Sequence, residues 1–200
     1  MITLLSNDFT DSVKFAKQAL QDNLIDCTLI VGNNQTLVTA LHTAVKTSKA
    51  VVVFGDHNVK NLVAQTFSLS MGYDKFAEKN IEKLCNLTKQ SMPPQYLLDM
   101  LCALPETFVH YACNFCPQAA CFGEINKTGV FVFPNNEQEV KFVFETYFSP
   151  YINKFYPQNT KVVYKIFGLQ HKEVLKAVAD IATLKNVSCK SITISPILII

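Results

Sequence analysis

Asp56 and His57 stand side by side directly after the apolar run Val51, Val52, Val53, Phe54 and Gly55. A carboxylate next to an imidazole is the pairing that orients a general base, and His titrates near neutral pH. Adjacent loop residues seldom point the same way, so a plainer account stands beside it: Asp56 caps a helix. Glu137 and Glu139 follow Pro134, Asn135 and Asn136 at the start of a later helix, where they complement the macrodipole with no further role. His110, Cys113, Cys116 and Cys121 have the ligand types of a zinc site. Only one pair has strong spacing, however, and small buried thiols are the competing account, so no metal ligand is assigned. Lys60, Lys141 and Lys172 read as solvated surface charges, with phosphate neutralisation the lesser role.

These residues need elements to position them. Val51 to Phe54 form an apolar run with no polar face, as in a parallel strand covered on both sides. Asp56 and Asn58 are cap residues for a helix whose period runs through Val59, Leu62, Val63, Phe67 and Met71, with Gly72 as C-cap. Upstream, 2–5 and 27–31 read as strands. Asp11 or Ser12 caps a helix with the stripe Val13, Ala16, Leu20 and Leu24, and Leu37, Ala40, Leu41, Ala44 and Val45 mark the next. Strand and helix thus alternate three times, the rhythm of a doubly wound sheet. In such sheets ligands collect beyond the carboxyl ends of the strands, which points to the turn from Gly55 to Asn58.

Downstream, 73–89 reads as a helix. Pro93 and Pro94 open another through Leu97, Leu98, Leu101 and Leu104. Strands at 119–122 and 130–133 flank a turn with Asn126 and Gly129. The helix after Asn136 carries Val140, Val143, Phe144 and Tyr147 and stops near Pro150. A strand at 161–167, a helix at 171–184 and a strand at 187–199 form a small tail.

The chain has 200 residues, 49% hydrophobic and 17% charged, enough to bury a substantial core. A net charge of +2 is too mild to indicate nucleic acid. All 18 basic side chains are lysines, so any phosphate would rely on lysine, backbone N–H groups or a metal, without the arginine fork. No stretch reaches the length of a membrane span, and the first residues lack the basic start of a signal peptide. The expectation is a cytoplasmic protein whose seven cysteines are reduced thiols.

Read in order, several segments together resemble the amino-terminal domain of the competence/damage-inducible CinA proteins, which has the MoaB/Mog-like molybdopterin-binding fold. They are VGNN; LVAQTFSLSMG; QSMPPQYLLDMLCALPE, in step at Met92, Pro93, Ala103, Pro105 and Glu106; NFCPQAACF; and FVFPNNEQEVKFVFETYFSPYI, in step at Pro134, Glu139, Phe144, Glu145, Pro150 and Tyr151. KIFGLQHKEV resembles the opening of that family's small third domain. The resemblance implies an α/β fold, a three-layer αβα domain with a mostly parallel sheet over 1–153, and a small α+β tail over 154–200. Full-length relatives carry a further amidohydrolase domain, for which 200 residues leave no room.

The resemblance also implies hydrolysis of a dinucleotide-type pyrophosphate such as ADP-ribose. Here the glycine-rich loop of that family is reduced to FGDHNVKNLV, and its paired aspartates fall on Lys60 and Asn61. Glycines let backbone N–H groups approach a phosphate, and paired carboxylates hold Mg²⁺, whereas Lys60 would repel the ion. The expectation is therefore a nucleotide- or pterin-binding protein with eroded catalytic loops, binding or regulatory in role. The alternatives are an active pyrophosphatase, for which Mg²⁺ would be the metal, and a structural, oligomer-forming relic. The candidate ligand-binding residues are Gly55, Asn58, Lys60, Asn61, Asn114, Pro134, Asn135 and Asn136. The candidate catalytic residues are Glu139, Asp56 and His57. A homo-oligomer is expected, without nucleic acid or membrane partners.

Overall fold

The structure is a computed structural model, and it describes residues 1–156 and the single positions Lys172, Glu173, Lys176 and Ala179. The expected strands at 161–167 and 187–199 lie outside the described residues, as does the helix at 171–184 except at Lys172, Glu173, Lys176 and Ala179, which are helical and exposed. The described fold belongs to the compact unit Met1–Asn159.

The run of β-branched and aromatic residues at 50–55 forms strand β3 (Ala50–Gly55), every residue of which is buried. It lies between β1 (Ile2–Ser6) and β8 (Thr128–Pro134), parallel to both. β2 (Cys27–Val31) pairs with β1 in parallel, and β7 (Cys121–Ile125) and β6 (Val109–His110) continue antiparallel beyond β8. The order across the sheet is β2-β1-β3-β8-β7-β6.

Alternation along β3 sorts its side chains to two helix layers. Ala50, Val52 and Phe54 pack with α1 (Asp11–Asp22) and α6 (Glu137–Val143). Val51 and Val53 pack with α2 (Asn34–Thr47) and α3 (Asn58–Phe67). Burying each large apolar side chain contributes about 1.5–3 kcal/mol, so a polar residue on either face would be costly. The fold is thus α/β with a mostly parallel sheet between two helix layers, as expected. α4 (Lys75–Thr88) and α5 (Gln95–Cys102) share a smaller core built around Ile81, Leu84, Leu98 and Leu101.

Several boundaries differ from the sequence expectation. α3 ends at Phe67, not Met71: Ser68 takes the left-handed C-cap conformation, and the Leu69 N–H returns to the Ala64 carbonyl. Gly72 is therefore no cap; it lies in β4 (Met71–Tyr73), which pairs antiparallel with β5 (Ala103–Pro105). Leu104, expected on a helix, sits in that ribbon. Asp74 caps α4 by accepting the Phe76 N–H at 2.8 Å, which leaves Tyr73 outside the helix. The cap residue of α1 is Thr10, and Leu24 sits in a left-handed turn beyond the helix, off its stripe. Nor does Pro150 stop the last helix, because a π-helical turn (Phe144–Phe148) precedes it and α7 (Ser149–Ile152) carries it within its first turn. Cys27, Cys85, Cys102, Cys113, Cys116 and Cys121 are free thiols.

Candidate functional site

The chain starts in the middle of the sheet with β1, steps to β2 on one side and crosses to β3 on the other. The crevice beyond the carboxyl ends of β1 and β3 is the switch point of the sheet. Beside it, α2 and α3 line an open cleft of about 560 Å³. Its lining is Asn34, Gln35, Val38, Asn58, Asn61, Leu62 and Gln65. Five are carboxamides, two are aliphatic, and none is charged. On α3 the spacing 58, 61, 65 puts the amides on one face, because residues three and four apart stack on a helix. The Asn34 amide oxygen accepts from Asn7 at 3.0 Å, and the Asn58 amide donates to Asp56 at 3.2 Å. Among the described residues the side chains of Gln35, Asn61 and Gln65 have no hydrogen-bond partner, so their donors and acceptors face solvent.

Both helix starts are capped from within. Asn33 accepts the Thr36 N–H at 3.0 Å, and Asp56 accepts the Asn58 N–H at 2.9 Å. Gly55 serves packing here: a Cβ on it would lie 2.1 Å from a Val59 methyl, so the residue lets α3 close onto the end of β3. His57 is half-buried, in helical conformation at the start of α3, and makes no hydrogen bond.

A second group of expected residues gathers at the adjacent strand ends. Pro134 is the β8 partner of Gly55, and Gln118 reaches the Gly55 carbonyl at 2.9 Å. Asn136 caps α6 through the Glu139 N–H at 2.9 Å, while Asn135 is exposed. Glu139 is wholly buried. Its Oε2 accepts the N–H groups of Asn114 and Phe115 at 2.9 and 2.7 Å, and its Oε1 has no partner. Burial pushes this carboxyl above its ordinary value, against the pull of those N–H groups. The geometry makes Glu139 a clasp that fixes loop 112–119 to α6.

Lys60 overturns the expectation of a solvated charge. It is 1% exposed, on the side of α3 away from the cleft. Its ammonium donates to the Leu101 carbonyl at 2.5 Å, at the last turn of α5, and lies 3.2 Å from His110 Nε2. His110 Nδ1 in turn is 2.7 Å from Asp74 Oδ2. Burial pushes the Lys60 amine down from its ordinary value. His110 falls to about 4 through burial and the neighbouring ammonium, against the hydrogen bond and charge of Asp74. The imidazole is therefore neutral at pH 7, with Nε2 accepting from Lys60 and Nδ1–H donating to Asp74.

This chain of contacts also decides two metal questions. His110 is committed to Asp74 and Lys60, and the Cys116 thiol donates to the Gln118 carbonyl at 3.3 Å, so the zinc quartet does not assemble. Among the described residues no group of three or more His, Cys, Asp and Glu could hold a metal ion. For Mg²⁺, the two positions that resemblance gives to aspartates hold a buried ammonium and an amide, and the Asp56 carboxylate is already engaged by Asn58. The residues present do not fit a magnesium clamp.

Of the expected residues, the structure brings Asn58 and Asn61 into the cleft and sends Lys60 elsewhere. Gly55 pairs with Pro134 and Glu139 joins Asn114 to Asn136, but none of these nor exposed Asn135 lines the cleft, and Asp56 and His57 form the turn that leads into α3. Sequence reasoning missed Asn34, Gln35, Val38, Leu62 and Gln65. The amides at 58, 61 and 65 share a face by spacing alone, a signal that was there to read.

No protein-family profile matches the chain, and no curated protein matches it. The chain is similar in structure to the CinA protein of Thermoplasma acidophilum, whose crystal structure is described as that of a protein of unknown function. The TM-score is 0.60 at 12% identity, covering 76% of this chain and 97% of the other. At that identity the likeness shows a CinA-like fold and nothing of the chemistry. Among the described residues no helix is long and apolar enough to cross a membrane.

Proposed function

We propose that this protein binds a nucleotide- or pterin-like small molecule in the cleft between α2 and α3, and does not hydrolyse it. The carrying observation is the set of five carboxamides around an aliphatic floor of Val38 and Leu62 at the switch-point end of the sheet. Amides offer a donor and an acceptor side by side and pair with heterocycle edges that present the complementary set. The aliphatic floor gives the faces of a flat ring an apolar surface.

The same region supplies little for hydrolysis. Glu139 is sealed and engaged by two backbone N–H groups, Asp56 caps α3, and no magnesium clamp is present. His57 is the one free proton carrier at the turn, and an imidazole alone gives no hold on a pyrophosphate.

The test pairs a binding titration with a turnover assay. Purified protein is titrated with AMP, ADP-ribose, adenosine and pterin, with and without Mg²⁺, and incubated with ADP-ribose under the same conditions. Saturable binding without turnover is the expected result. Turnover lost on Asp56→Asn or His57→Ala would establish the hydrolase instead.

A further inference from the structure

We infer that the α2–α3 cleft selects the uncharged form of its ligand, a free heterocycle or nucleoside, and discriminates against the phosphorylated form. The inference rests on the binding reading above and narrows its ligand class.

Three observations meet here. First, the lining carries five amides and no lysine, in a chain that has no arginine at all. A phosphate brought into the cleft would find no cation among those lining residues. Second, at each helix start one of the N–H groups that could bind an anion is already held by a cap side chain. Asn33 holds the Thr36 N–H of α2 and Asp56 holds the Asn58 N–H of α3. Third, the group on the α3 start is itself an anion. Asp56 is exposed, and both its oxygens contact Asn58, a lining residue. It therefore places a negative charge at the rim, where the helix would otherwise attract one.

The one lysine in the first turns of α3 cannot offset this charge. Lys60 is buried on the far side, held by Leu101 and His110. The unpartnered amides of Gln35, Asn61 and Gln65 remain, and they suit a ring with adjacent donor and acceptor groups. A nucleobase and a pterin share that chemistry.

The test is isothermal titration of the full chain with adenosine, guanosine and pterin, and with AMP and GMP, at low and high salt. The expected result is saturable binding of at least one uncharged ligand with little salt dependence. The corresponding monophosphate should bind about tenfold more weakly at low salt, because like charges repel across the rim. That gap should shrink at high salt, where the repulsion is screened. Asp56→Asn should close it too, while Asn keeps the helix capped. Whether nucleosides or pterin bind identifies the source of the ring, and either supports the inference. A monophosphate that binds more tightly than its nucleoside and weakens with salt would overturn the inference and leave the binding reading standing. If neither the uncharged nor the phosphorylated ligands bind, both fall.

Discussion

The two sides of α3 use polar residues in opposite ways. One side carries Lys60, buried, with its ammonium set between the Leu101 carbonyl and His110, and with Asp74 completing the chain. The other carries Asn58, Asn61 and Gln65, which face an open cleft, the last two with no partner among the described residues. The strongest charge on the helix is spent on holding α3, α5, β6 and the start of α4 together, and the weaker amides are left free. A buried ammonium needs hydrogen-bond acceptors, since one left without them in the interior costs several kcal/mol, whereas an exposed amide loses little by waiting in water. The difference teaches that here the charged residues belong to the fold and the neutral ones are open to a ligand.

The largest expected effect comes from breaking the buried side. Lys60→Ala leaves the Leu101 carbonyl and His110 Nε2 without their donor and removes the charge that faces Asp74. Each buried acceptor left without its donor costs about 1–3 kcal/mol, to be read from denaturant unfolding. If the comparison holds, whatever protein remains folded binds ligand as before.

Next comes pH. His110 has a folded value of about 4 against an ordinary 6.5. Between those values the unfolded chain takes up a proton that the folded chain refuses, so stability is complete above pH 6.5 and falls as pH drops towards 4. The shift corresponds to about 3 kcal/mol, and a pH series of melting curves should show it. His110→Gln should flatten that part of the profile while leaving the cleft untouched.

Glu139 sharpens the comparison at the rim. Glu139→Ala leaves the Asn114 and Phe115 N–H groups unpaired and should cost about 1–3 kcal/mol. Hydrogen exchange at those two amides should rise before the rest of the sheet responds. At the small end, Asn61→Ala with Gln65→Ala should change stability by under about 0.5 kcal/mol per site, because their side chains hold no hydrogen bond among the described residues.

Much of the fold was legible because its signals are local. The apolar run at β3, the alternating elements before it and the Asn136 cap each declare themselves within a few residues. Gly72 misled because Ser68 adopts the left-handed conformation that glycine usually supplies, and the chain then turns into a ribbon. Lys60 misled for a deeper reason. Its partners Leu101 and His110 lie 41 and 50 residues away, and Asp74, bonded to His110, lies 14 away, so no window of sequence shows them together. The cleft was half legible. Asn58 was reached through the turn after β3 and Asn61 through the family resemblance, but Asn34 and Gln35 join them only through the packing of α2 against α3.

The central claim is that the neutral face of α3 is the working face. The measurement that tests it most directly is calorimetric titration of the native chain and the Asn61→Ala, Gln65→Ala double variant with adenosine and with pterin. The account predicts that the native chain binds at least one of them, and that the variant, equally stable, binds it at least about tenfold more weakly, the loss expected when a ligand's hydrogen-bond partners are removed. Undiminished binding by the variant would place the ligand elsewhere and contradict the account.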